Sequence, residues 1–228
     1  MARSIDQLVN QQVLRWATEA KANAERESGQ TEKQRPMITI SREFGGRGAE
    51  IGKHVAERLG FRFYAQEIVH EIARQAHVRQ QLVESLDERL QDRIGQWVTE
   101  MMQGGVFAPS DYLYNLSQVV VTLGRHGRGV IIGRGAHLIL APETTLRVRA
   151  FAPLETRIEY TMARENLDRV EARAFTLRID AERIAFYRQH FNVDVGDPLL
   201  YDMMLNTGSM SVDLCADLIV QAYRAKFG

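Results

Sequence analysis

Met37-Ile38-Thr39-Ile40-Ser41-Arg42-Glu43-Phe44-Gly45-Gly46-Arg47-Gly48-Ala49-Glu50-Ile51-Gly52-Lys53 joins a short β-prone run to a glycine-rich turn and the opening of a helix. The helix is predicted over Ala49–Leu59, where Ile51, Val55 and Leu59 recur four apart, and Gly60 stops it as a left-handed cap would. Strand, turn and helix in this order make an anion site. Glycines let the backbone curl with its N–H groups inward, and the helix N-terminus adds a partial positive charge. Gly45, Gly46, Gly48, Ala49 and Glu50 form the predicted cradle. Arg47, inside the turn, is the cation best placed for phosphates, and Arg42 at the strand end is the second.

Two stricter motifs fail on this stretch. G-x-x-x-x-G-K-[ST] needs a glycine where Arg47 stands and a hydroxyl where His54 stands. Lys53 lies a turn inside the helix and is expected in solvent. The dinucleotide fingerprint is met only as far as Gly46-x-Gly48; Ile51 takes the place of the third glycine, although Glu67, roughly twenty residues on, suits a ribose-binding acid.

Working outward, residues 4–26 read as an amphipathic helix through Ile5, Leu8, Val9, Val13, Trp16 and Ala20, and residues 25–36 as a linker. Phe61–Tyr64, Gly129–Gly133, Leu146–Phe151 and Asp202–Asn206 are strand candidates. Residues 66–104 are predicted mostly helical, with Ser85-Leu86-Asp87-Glu88 as a capping box and a break at Gly104-Gly105 and Pro109. Helices follow at Asp111–Leu123, through the arginine-rich region Thr156–His190, and at Val212–Lys226. Strands alternating with helices imply an α/β fold, a mostly parallel sheet covered on both faces.

The 228 residues carry 29 basic and 29 acidic side chains, a balance that argues against a dedicated nucleic-acid binder. No run is long and apolar enough to span a bilayer, and the start of the chain lacks the apolar core of a signal peptide. Cys215 is the only cysteine, so no internal disulfide forms and a cytoplasmic, reducing compartment is expected. The six histidines, His70 and His77 among them, have no metal-ligand spacing.

Ile40–Lys53 resembles the S-R-x-x-G-S-G-G-R-E-I-G-K opening of the cytidylate kinase-like family, a divergent branch of the nucleoside monophosphate kinases. Phe61-Arg-Phe-Tyr64 with Glu67-Ile68 resembles that family's F-x-F-Y-D-x-E-I segment. Val130–Ala136 resembles its third-strand G-R segment, and Asp180-Ala-Glu-Arg183 with Tyr187, then Asp197-Pro198 and Tyr201–Thr207, its C-terminal pattern. The resemblance implies a three-layer P-loop NTPase-like fold over residues 37–228, preceded by the helix and linker of residues 1–36. It further implies a helical monophosphate-binding region over 65–125 and a lid over 156–196.

The implied activity is transfer of the ATP γ-phosphoryl, with Mg2+, to a nucleoside monophosphate, CMP or dCMP favoured. Arg47, Arg134 and Arg183 are then the catalytic candidates. By the resemblance Arg134 holds the acceptor phosphate, Asp180 and Arg183 lie near the acceptor or the lid, and Arg157, Arg164, Arg173 and Arg178 are lid candidates. Departures are visible: the loop arginine of the family falls on Ala49, the aspartate of F-Y-D on Ala65, and the two acids of the D-G-R-D that conventional members carry fall on Ile132 and Gly135. Glu50 stands in the place of their threonine and is read as a helix cap. Nucleotides are thus the expected partners, with a homo-oligomer through the N-terminal helix as a further expectation. A non-catalytic nucleotide-binding module and an NAD(P)-binding enzyme are the alternatives.

Overall fold

The computed structural model describes residues 36–84, 86, 88–103 and 110–228. The predicted N-terminal helix, most of the linker, Ser85 and Asp87 of the capping box, and the Gly104–Pro109 break lie outside the described residues.

Five strands, β1 (Met37–Arg42), β2 (Arg62–Tyr64), β3 (Gly129–Ile132), β4 (Thr145–Phe151) and β5 (Met203–Asn206), form one sheet in the order β2-β3-β1-β4-β5. Every neighbouring pair is parallel. Parallel neighbours require crossovers, and the helices supply them. They are α1 (Gly48–Leu59), α2 (Gln66–Arg74), α3 (Ala76–Glu84), α4 (Glu88–Gln103), α5 (Asp111–His126), α6 (Ala136–Ile139), α7 (Leu154–Glu165), α8 (Arg169–Phe191) and α9 (Val212–Phe227).

The two-residue period of the strands divides the core into two layers. Ile38, Ile40, Val130, Ile132 and Val148 pack with Ile51 and Val55 of α1 and Cys215 and Ile219 of α9. Met37 and Ile131, facing the other way, pack with Ile72, Leu113, Leu116, Val120, Tyr187 and Phe191. β1 is the central strand and is buried from Met37 to Ser41. The chain is therefore a three-layer α/β structure, as its strand–helix alternation predicts.

Local caps explain several boundaries. Gly60 adopts φ +64° and closes α1 through its N–H to the carbonyls of Ala56 and Glu57. The arginine-rich region holds two helices. Asn166 takes φ +54° at the end of α7, and Asp168 with Glu171 then opens α8 as a reciprocal capping box. Gly52 and Lys53 part company. A Cβ on Gly52 would lie 2.6 Å from Ile132 Cδ1, so this residue lets α1 sit close on the sheet. Lys53 is exposed, as expected of a surface residue.

Candidate functional site

The C-terminal ends of β1, β3 and β4 meet at the glycine-rich loop, residues 43–47. Glu43 N–H is bonded to Ala150 O at 3.2 Å, which anchors the loop to β4, and Gly46 N–H closes a turn on Glu43 O at 3.2 Å. Gly45 has φ +76°, and a Cβ there would meet both Cβ and O of Arg157 at 2.9 Å. Only glycine meets both demands. Arg47 enters α1 in the left-handed region, φ 53°. The amides of Gly48 and Ala49 then occupy the first turn, where a helix has no internal partner for its N–H groups.

Arg157 lies beneath the loop and is buried. Its Nε donates to Ala152 O at 3.0 Å, and its Nη1 donates to Phe44 O at 3.2 Å and to the Asp180 carboxylate. Asp180 Oδ1 also accepts the Phe44 amide at 2.8 Å. Glu43 adds a second carboxylate, 3.3 Å from Arg157 Nε, and it accepts the Ala152 amide at 3.2 Å. One buried guanidinium thus carries the loop, the end of β4 and α8.

Above the loop, Arg47 does not stand free. Its Nη2 pairs with Glu50 Oε2 at 2.8 Å, and its guanidinium lies 5.7 Å from the Tyr160 ring centroid. Tyr160 donates its hydroxyl to the other oxygen of Glu50. Burial by itself raises the Glu50 carboxyl, but the hydrogen bonds from Arg47 and Tyr160 and the nearby charges of Arg47 and Arg164 outweigh it. The carboxyl is held below its ordinary value. Glu50 is therefore an ionised group at the positive end of α1.

Beside the loop is a cavity of about 210 Å3 lined by Ser41, Arg42, Gln66, Gly133, Arg134, Ile179, Glu182, Arg183, Phe186 and Tyr187. Three guanidiniums from three elements meet there. Arg42 ends β1, Arg134 follows β3, and Arg183 lies on the inner face of α8. Burial, then the charge of Arg183, pushes Arg42 down to about 9, against the opposing charge of Glu67. Burial also lowers Arg183, whose Nη1 is bonded to the Arg42 carbonyl at 3.1 Å. Gly133, Arg134 and Gly135 all have positive φ, between 56° and 68°. Arg134 Nε is buried with no partner among the described residues, and the guanidinium lies 5.7 Å from the Phe186 ring. Crowded, desolvated cations of this kind are suited to an anion.

Residues 37–209 match the model of the cytidylate kinase-like family. The chain belongs to that family. A cytidylate kinase of Methanopyrus kandleri is 33% identical over 94 residues, covering 41% of this chain and 49% of that one. A uronate isomerase of Corynebacterium glutamicum is 32% identical over 100 residues, 43% of this chain and 19% of its own length. The chain thus spans less than half the length of these two curated relatives. A solved structure from Eubacterium ventriosum, described as an uncharacterized protein, superposes with a TM-score of 0.65 at 23% identity, covering 85% of this chain and 99% of that one. That likeness supports the fold.

Against the family pattern, the structure brings Arg42, Arg134 and Arg183 together and sets Arg47 and Glu50 against each other a few residues away. Asp180 and Arg157 are turned to the loop. Arg164, Arg173 and Arg178 are exposed on α7 and α8, paired with Glu165, Glu155 and Glu182 respectively. The sequence reading missed Glu43, Tyr160, Gln66 and Phe186. Glu43 was within the quoted loop, but a carboxylate in a phosphate cradle has no obvious use until Arg157 is seen under it. Among the described residues no three acidic, histidine or cysteine side chains are grouped to hold a metal ion. Glu50 is the one carboxylate in the first turn of α1, and Mg2+ bound with a nucleotide typically needs only one or two carboxylates beside the phosphates.

Proposed function

We propose that this protein is a nucleoside monophosphate kinase that transfers the γ-phosphoryl of ATP to a monophosphate acceptor, with CMP or dCMP favoured. The observation that carries the reading is the meeting of Arg42, Arg134 and Arg183 in one cavity next to a glycine-rich loop on a helix N-terminus. Two of these guanidiniums are depressed by burial, so a dianionic phosphate is the ligand that relieves them.

In this reading the acceptor phosphate is held by Arg134 and Arg183. The amides of Gly48 and Ala49 and the field of α1 hold the donor phosphates. Glu50 would hold an Mg2+ brought in with the nucleotide, and that ion would supply charge neutralisation at the phosphates. An acceptor phosphate oxygen forms a bond to the γ-phosphorus as the bond to the β–γ bridging oxygen breaks, and ADP leaves. The protein's part is positioning and charge compensation, which suits arginines better than a general base. Residues 37–228 act as the kinase unit, with 65–125 around the acceptor and 156–196 as the lid, in a reducing cytoplasm. The pyrimidine preference rests on the family alone.

A second reading, a nucleotide-binding module without turnover, is favoured by one observation: the Phe44 amide is already bonded to Asp180. Calorimetry with CMP and with ATP·Mg2+ tests the shared premise. Binding of both, with CMP affinity lost in Arg134→Ala, supports it; binding of neither would overturn both readings.

A further inference from the structure

The 23-residue helix α8 is apolar on two faces, and among the described residues only one of them is packed against the fold. Its inner face buries Ala172, Thr176, Tyr187 and Phe191 and presents Arg183 and Phe186 to the cavity. On the outer side Val170, Ala174, Leu177, Ala181, Ile184 and Arg188 follow one another at spacings of four and three, and all six are exposed. Val170 is 78%, Leu177 43% and Ile184 38% accessible. A single surface helix needs one apolar stripe; a second at alternating four- and three-residue spacing is the seam of a helix pair.

We infer that α8 pairs with α8 of a second copy of this chain, antiparallel, about a two-fold axis near residue 179. In that register Leu177 faces Ala181 of the second copy, Ala174 faces Ile184, and Val170 faces the aliphatic stem of Arg188. In the central layers a large residue meets an alanine, and in the outer ones Val170 meets an aliphatic stem. A parallel pair would instead set Ala174 on Ala174 and Ala181 on Ala181, leaving gaps between the leucine and isoleucine layers. Charge favours the same orientation. Asp168 and Glu171 cap the N-terminus of α8, whereas Arg188 and His190 are in its last turn. The antiparallel arrangement places each basic end on an acidic one. The Arg178–Glu182 and Arg173–Glu155 pairs flank the stripe and make the polar rim. Pairing there would also hold the helix that carries Asp180 and Arg183 on its opposite side.

Sedimentation equilibrium of the full chain across about two decades of concentration tests the inference. The expected result is a mass rising from one chain to two, with the double variant Leu177→Glu, Ile184→Glu weakening dimerisation at least about 10-fold. A second variant, Ala174→Cys with Ile184→Cys, should form an interchain disulfide under mild oxidation, while Ile184→Cys alone should not. A chain that stays monomeric throughout overturns the inference, as does a dimer untouched by the double substitution. A monomer whose melting temperature falls on Leu177→Glu would assign the stripe to another part of the same chain and overturn it equally.

Discussion

Asp180 joins Arg157 to the loop: one carboxylate oxygen takes the guanidinium of Arg157 and the other takes the Phe44 amide at 2.8 Å. α7 and α8 are thereby fastened to the glycine-rich turn from below. Both side chains are largely shielded from water, Arg157 9% and Asp180 17% exposed. Removing one member leaves the other charged and poorly solvated. Arg157→Ala should lower stability by about 3 kcal/mol, seen as a lower midpoint in urea with an unchanged slope. Asp180→Asn, which keeps an oxygen for the Phe44 amide, should cost clearly less than Asp180→Ala. A loss within about 0.5 kcal/mol for Arg157→Ala would mean the brace contributes nothing.

Arg42 is a different case, a cation held at a disadvantage. Its proton is bound less tightly in the folded protein than in the unfolded chain, down to about 9. That penalty is present at every pH below 9 and is relieved as the pH rises above it. Arg42→Met should therefore raise the melting temperature of the ligand-free protein by about 2–4 °C, roughly 1 kcal/mol for a domain of this size, while weakening phosphate binding. For the same reason, affinity of the wild-type protein for a nucleoside monophosphate should hold steady from neutral pH and then fall as pH passes 9. A variant both less stable and unchanged in affinity would reject this account of the cavity.

His137 gives an acid-side counterpart. It sits between the rings of Tyr187 and Tyr201, with centroids 5.6 and 4.9 Å away. Burial, then the charges of Arg147 and Arg149, lowers it to about 3. Below the ordinary histidine range the unfolded chain takes a proton that the folded one refuses. Stability should fall as the pH drops from about 6.5 towards 3. His137→Phe should flatten that decline in denaturant titrations at successive pH values. An unaltered slope would place the acid sensitivity elsewhere.

The fold was legible because its signals are local. Ile38 and Ile40 alternate with Thr39, Ile51 and Val55 keep the helical period, and Gly60 marks the stop; each is set within a few residues. Much of the site is not local. Arg42 was placed by its neighbours in the loop, but its crowding by Arg183 depends on residues 141 positions apart. Arg157 reads as one more arginine on a charged helix, and only the fold reveals that it is buried under Gly45. Arg47 was legible as a loop cation, and what the sequence hid is its engagement with Glu50 and with Tyr160, a residue 110 positions from Glu50. Spacing finds residues on one element; it does not find partners brought together from separate crossovers.

The account turns on Arg134 and its neighbours receiving the phosphate of an acceptor nucleotide. A coupled assay of phosphoryl transfer from ATP·Mg2+ to CMP, dCMP, UMP and AMP, run on the wild-type chain and on Arg134→Ala, tests this most directly. The predicted result is turnover with at least one pyrimidine monophosphate and a loss of about 100-fold or more in kcat/KM for the variant. No turnover with any of the four, or equal turnover by the two proteins, would contradict it.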